Sequence, residues 1–248
     1  MNQSGKIRIG TSNIVVPGNK ASFPEAFREK SRLHYYSSIF NTLEVNSCFY
    51  KTPLRSTYEK WVLDVPDDFR FSLKLSKEIT HVKDLAGDLA CMNKFMQTAG
   101  GTGQKKGCLL VQFPGKITLD YFKKVEDILS ELQTHDPEQQ WKTAVEFRHP
   151  SWYTGETREL LDESGAAMVI HDHPKARIWE VQGKASFVYM RFHGPNGDYR
   201  DSYTDSFLKS KAAEIKEWLT AGKDVYAYFN NTIGSAFDNA ISLKKMLE

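Results

Sequence analysis

The chain is poor in cysteine: Cys48, Cys91 and Cys108 are the whole complement in 248 residues. Their number is odd and no Cys-x-x-Cys pair occurs. That speaks against a disulfide framework and a zinc knuckle, and for a reducing, cytoplasmic setting. Long apolar runs are missing as well. No stretch approaches the roughly 18 residues that cross a bilayer, so no membrane role is expected. The start, Met1-Asn2-Gln3-Ser4-Gly5, runs straight into Lys6-Ile7-Arg8-Ile9-Gly10 without the basic and apolar regions of a secretion signal. Charge of one sign is lacking too: 33 Lys and Arg against 31 Asp and Glu leave a net charge of +2. This rules out a global basic field for nucleic acid but leaves a local patch open. No linker or low-complexity tract interrupts the pattern, and residues 1–248 read as one domain.

What the sequence does contain is a series of short β-type runs that end on polar or charged residues. They include Thr42-Leu43-Glu44-Val45-Asn46, Phe71-Ser72-Leu73-Lys74 and Cys108-Leu109-Leu110-Val111-Gln112. Ala144-Val145-Glu146-Phe147-Arg148, Ala167 to Asp172, Val188 to His193 and Val225 to Asn231 continue the series. Between them lie segments with apolar residues at helical spacing: Glu25 to Phe40, Ser56 to Leu63, Asp84 to Gln97, Leu119 to Leu132, Glu156 to Ser164, Ser206 to Thr220 and Ser235 to Leu247. Gly165 and Gly222 stand where helix C-caps belong.

Strand and helix thus alternate to a count near eight, which implies right-handed parallel units. With this length, a TIM-type (β/α)8 barrel, with irregularities allowed, is the expected fold; an open doubly wound sheet is the alternative. Side chains alternate across a strand, so Glu44 and Asn46 share a face. Glu146 and Arg148 share one, as do Arg191 and His193, and Tyr226, Tyr228 and Asn230. These polar faces would meet inside the barrel at its C-terminal mouth, where such folds hold their chemistry.

Each candidate has a functional and a plainer reading. Glu44 and Glu146 are candidate proton-transfer groups, or members of buried ion pairs. Lys74 is a candidate base, Schiff-base amine or anion ligand, or else a counter-ion to either glutamate. His171 and His193 are candidate acid/base groups. Asn46, Gln112, Arg148, Asp172, Arg191, Asn230 and Asn231 are candidate ligand-binding residues, with the arginine forks suited to carboxylate or phosphate. His171, Asp172 and His173 with the glutamates make a passable metal-ligand set. Lys74, Arg148 and Arg191 at the same rim disfavour a bare cation, so no metal ligand is assigned and no cofactor is named. Gly194 after His193 permits close approach of a ligand. Gly100 to Gly107 resembles a phosphate loop at a glance, but it precedes a strand and lacks the required spacing, so it reads as a flexible turn.

Gly10-Thr11-Ser12, Leu43 to Tyr50, Asp68 to Lys74 and Ile79-Thr80-His81 together resemble the YecE-like family, also called domain of unknown function 72. Leu110-Val111-Gln112-Phe113-Pro114, Ala144 to Trp152, Tyr189 to Gly194 and Tyr228-Phe229-Asn230-Asn231 carry the resemblance through nearly the whole chain in order. It implies a TIM-type barrel and supplies no reaction. One departure stands out: the family's first motif continues with Gly-Trp, whereas here Asn13 to Gly18 follows. The expected function is an enzyme with an anionic small-molecule ligand at the mouth. A nucleic-acid- or protein-binding barrel, a metal-dependent hydrolase and a glycosidase built on Glu44 and Glu146 are the alternatives.

Overall fold

The structure, a computed structural model, describes residues 4–248. Nine strands follow in order: β1 (Ile7–Thr11), β2 (Thr42–Val45), β3 (Arg70–Lys74), β4 (Lys106–Gln112), β5 (Lys142–Glu146), β6 (Ala167–Met168), β7 (Ile170–His171), β8 (Phe187–Phe192) and β9 (Asp224–Phe229). All named pairings are parallel. One sheet runs β2-β3-β4-β5-β6 and the other β1-β9-β8-β7. The α-helices among the described residues are α1 (Arg32–Ile39), α2 (Ser47–Tyr50), α3 (Arg55–Leu63), α4 (Lys77–Thr80), α5 (Ala90–Ala99), α6 (Phe122–His135), α7 (Gly155–Glu163), α8 (Asp205–Thr220) and α9 (Ala236–Leu247).

The two sheets form an irregular TIM-type barrel with two seams. At the first, β1 and β2 share only the bridge Ser12–Glu44 and the bond from Asn13 N to Glu44 O at 2.7 Å. Side chains do the rest. The Tyr36 hydroxyl accepts from Thr11 N at 2.7 Å and donates to Thr42 O at 3.1 Å. The Asn41 amide accepts from Ile9 N and donates to Ile7 O. Gly10 makes this approach possible, because a Cβ there would lie 2.2 Å from Thr42 O. The second seam falls at Val169. Ala167 and Met168 pair with β5, then Ile170 and His171 pair with β8, so one strand position changes partners midway.

Two apolar clusters confirm the alternation. Val45, Leu73, Val111, Val145, Phe192 and Phe229 belong to the large core that also includes the helices' apolar faces. Cys108, Leu110, Ala144, Val169, Tyr189, Tyr226 and Tyr228 form a separate cluster on the inner faces of the strands. The Tyr228 hydroxyl bonds Thr42 Oγ1 at 2.6 Å and Ser72 Oγ at 2.7 Å, which satisfies its polar end within this interior.

Several expected elements differ. The helix expected over Glu25 to Phe40 is a 3₁₀ turn at Glu25–Phe27 followed by α1, because Ser31 caps α1 by accepting from His34 N. The helix over Asp84 to Gln97 begins only at Ala90, since Asp84 and Leu85 take positive φ. No helix lies between β7 and β8; an antiparallel bridge from His171 to Ile178 occupies the connection. Gly100–Lys105 is a packed 3₁₀ segment, not an open turn, with Gly101, Thr102 and Lys105 buried.

Candidate functional site

The inner faces of β2, β5 and β8 bring Glu44, Glu146 and Arg191 together. Arg191 donates from Nε to Glu44 Oε2 and from Nη2 to Glu44 Oε1, each at 2.9 Å, and from Nη1 to Glu146 Oε2 at 2.7 Å. Ser12 Oγ and the Tyr189 hydroxyl complete the shell of Glu44 at 2.6 and 2.7 Å. Arg148 Nε donates to the other oxygen of Glu146. Arg148 Nη2 lies 2.9 Å from His193 Nε2. Guanidinium nitrogens only donate, so Nε2 accepts and the imidazole proton sits on Nδ1, 3.0 Å from Asp172 Oδ1. The Tyr203 hydroxyl donates to the second oxygen of Asp172. A continuous polar chain therefore runs from Ser12 to Tyr203, every member buried but Arg148, which reaches the pocket.

This geometry fixes protonation. Burial alone would raise the glutamates' pKa values, but it is outweighed. The Arg191 charge and the bonds from Arg191, Ser12 and Tyr189 hold Glu44 below the usual carboxylate range. Arg148 and Arg191 hold Glu146 well below it. Burial, then Arg148 and Arg191, push His193 well below the ordinary imidazole value. Burial drives His171 down to about 4, and its Nε2 lies 3.0 Å from Phe147 O while its Nδ1 accepts from His173 N. At neutral pH the glutamates are anions and both histidines are uncharged.

Lys74 stands apart. Its ammonium donates to Gln112 Oε1 at 2.8 Å and lies 4.1 Å from the centre of the Phe49 ring. Among the described residues no carboxylate lies within ion-pair distance of it, so it is not the counter-ion of Glu44 or Glu146. Burial, followed by the charge of Arg191, lowers its pKa from 10.5 to about 8.

Lys74 faces a pocket of about 240 Å³ at the mouth, lined also by Asn46, Gln112, Arg148, Arg191 and Asn230 from the expected set. Sequence reasoning missed Asn13, Phe49, Tyr50 and Tyr199, which complete the lining. Asn13 and Tyr199 both have positive φ, 61° and 68°, a conformation unusual outside glycine and frequent where function demands strain. Asn13 Oδ1 accepts from Asn46 N at 3.1 Å, so the atypical loop after β1 forms part of the pocket wall.

The other expected site residues lie elsewhere. Glu44, Glu146, His171 and His193 form the layer behind the pocket and do not line it. Asp172 and Asn231, expected as ligand-binding residues, do not line this pocket. Asp172 lines a separate outer pocket with Arg177, Trp179 and Phe207. Asn231 is buried, its amide nitrogen donating to Asp201 O and Asn239 Oδ1. Arg191 sits between Glu44 and Glu146, so the two carboxylates do not flank an open, sugar-sized gap. Among the described residues no three His, Cys, Asp or Glu side chains converge as a metal site, and no helix is long and apolar enough to cross a membrane.

Comparison with known proteins places these features in a family setting. The family described as "protein of unknown function DUF72" matches residues 8–248. UPF0759 protein YunF of Bacillus subtilis is 24% identical, the match covering 91% of this chain and 89% of YunF. A DUF72 family crystal structure from Thermotoga maritima aligns at 26% identity and a TM-score of 0.72, covering 98% of this chain and 99% of that one. One from Enterococcus faecalis aligns at 21% identity and 0.75, covering 100% and 99%, a likeness of fold.

Proposed function

We propose, for a chain that belongs to the DUF72 family, that the barrel mouth binds a small phosphate- or carboxylate-bearing molecule and acts on it through Lys74. The observation that carries this reading is the Lys74 amine, which faces the pocket beside Arg148 and Arg191 without a carboxylate of its own. Two glutamates offset the two arginines, so Lys74 leaves the mouth positive. Arg148 suits planar or tetrahedral oxyanions, and Arg191, whose fork is already held by Glu44, adds its charge behind it. A lysine whose pKa falls to about 8 is poised to exchange a proton or attack as an amine near neutrality.

In this reading Glu44 and Glu146 do not transfer protons. They are fixed anions that aim the guanidinium groups, and neutral His193 orients Arg148. The proton-transfer role expected of the glutamates and histidines passes to Lys74.

Calorimetric titration of the purified chain with inorganic phosphate tests the binding step. Binding that weakens with salt, and drops about tenfold or more in Arg148→Gln, is the expected result for a charge-assisted contact. Heat that is indifferent to Arg148→Gln and to salt would remove the mouth from consideration. An activity screen of wild type against Lys74→Gln, on phosphoesters and small oxo acids, tests the chemistry.

A macromolecule-binding barrel is favoured by one observation: Tyr50, Leu54, Leu63 and Ile233 are large apolar side chains left exposed. Retention of RNA by Lys74→Gln as strongly as by wild type would support it over the pocket.

A further inference from the structure

We infer that Lys74 forms an imine with the carbonyl carbon of a small molecule that carries an anionic group close to that carbonyl, with the anion held against Arg148 and Arg191. The inference rests on the anion-site reading above and names its substrate class. It follows from how differently the mouth treats its three cations. Arg191 is tied to both Glu44 and Glu146, and Arg148 to Glu146. They cannot leave those positions without stranding Glu44 and Glu146. Lys74 has one neutral acceptor, Gln112 Oε1, and an aromatic face below it. An amine bound this loosely is free to change from ammonium to amine and to form a bond. A third permanent counter-charge would have needed neither property.

The surroundings suit that step. Burial and the Arg191 charge leave about one lysine in ten as free amine at pH 7 for a pKa of about 8. The Phe49 ring beside the amine keeps water from one side. Tyr50, Tyr199, Asn46 and Asn230 line the same pocket and supply the hydroxyl and amide groups around the reacting carbon. A volume of about 240 Å³, below the span of drug-sized sites, suits a small ligand.

The reaction balances without a further reagent. The nitrogen lone pair attacks the carbonyl carbon, the C=O π pair moves to oxygen, and a proton passes from nitrogen to that oxygen to give a carbinolamine. Loss of water then gives the C=N bond, the water carrying the original carbonyl oxygen. Two ligand sources share this chemistry: a 2-oxo carboxylate and a phosphorylated ketone.

Borohydride trapping separates them. The full chain is incubated with pyruvate in one arm and dihydroxyacetone phosphate in the other, then reduced. Hydride addition to the imine carbon leaves a stable secondary amine, located by peptide mass mapping. The expected result is a single adduct on the peptide carrying Lys74 in one arm, diminished by excess inorganic phosphate and lost from that peptide in Lys74→Arg. Mapping on wild type makes the outcome independent of how that variant folds. Phosphate binding without any Lys74 adduct overturns the imine and leaves the anion site standing. A Lys74 adduct that phosphate does not diminish overturns the anion site and keeps the imine. Equal labelling of surface lysines overturns the imine as well.

Discussion

Arg191 grips Glu44 through two parallel hydrogen bonds of 2.9 Å, and both side chains are almost wholly buried. The same guanidinium reaches Glu146, so one residue neutralises two carboxylates inside the barrel. Arg191→Met removes the cation and leaves both anions in place. The expected loss is roughly 3–5 kcal/mol of unfolding free energy, the cost of breaking a buried pair from one side. Urea unfolding measures it. A loss under about 1 kcal/mol, the range of exposed pairs, would contradict the burial described.

Acid should destabilise the fold before the carboxylates titrate. Burial lowers His171 from 6.5 to about 4, and burial with neighbouring cations does the same to His81 and His173. Between those values the unfolded chain binds protons that the folded chain refuses, so stability falls as pH drops from 6.5 towards 4. Glu44 and Glu146 extend the loss to lower pH, because their contribution disappears as the depressed carboxylates protonate. Urea midpoints across this window should fall steadily. A flat profile would mean that these imidazoles are solvated.

Lys74 has the opposite signature on the alkaline side. Its folded pKa of about 8 lies below the unfolded 10.5, so the folded state sheds its proton first and stability gains as pH rises between them. Buried Cys48, pushed up to about 12, works against this above its ordinary 9.0. The difference between wild type and Lys74→Met isolates the lysine. Wild type should gain stability relative to the variant as pH rises from about 8 towards 10.5; a pH-independent difference would show an ordinary lysine.

The Tyr36 hydroxyl is one of the ties across the seam between β1 and β2. Tyr36→Phe keeps the ring and removes the group shared by Thr11 N and Thr42 O. The expected cost is about 1–3 kcal/mol for a buried donor left unpaired. Hydrogen exchange at the Thr11 amide should quicken selectively. Unchanged exchange there would mean that the seam is held by other contacts.

Much of this was legible in the sequence because strand parity is rigid. Glu44, Glu146, Arg148, Arg191 and Asn230 fall on inner faces as their spacing requires. Asp172 and Asn231 lie beyond the ends of β7 and β9, where parity no longer decides which way a side chain turns, and neither lines the pocket. Depth was harder to read. Glu44 and Arg148 both face inward, yet one is sealed behind the pocket and the other lines it. That depends on where neighbouring strands start, which no local pattern encodes. Asn13 and Tyr199 escaped because they lie in loops, where contacts come from tertiary position. The asparagine following Gly-Thr-Ser was the available hint, since it tolerates positive φ better than most residues. The broken helices before Arg32 and Ala90 escaped because caps and left-handed turns interrupt apolar spacing without erasing it.

The two seams have a mechanical consequence. A cylinder slit at Gly10 and again at Val169 is built as two facing shells. Asn46, Lys74, Gln112 and Arg148 belong to one shell; Asn13, Arg191, Tyr199 and Asn230 belong to the other. Anything seated among them spans both slits, and the buried arginine already does so by reaching from β8 to β2 and β5. A ligand of the kind proposed for the mouth, touching Lys74 on one side and Arg191 on the other, would tie the two shells together as that arginine does.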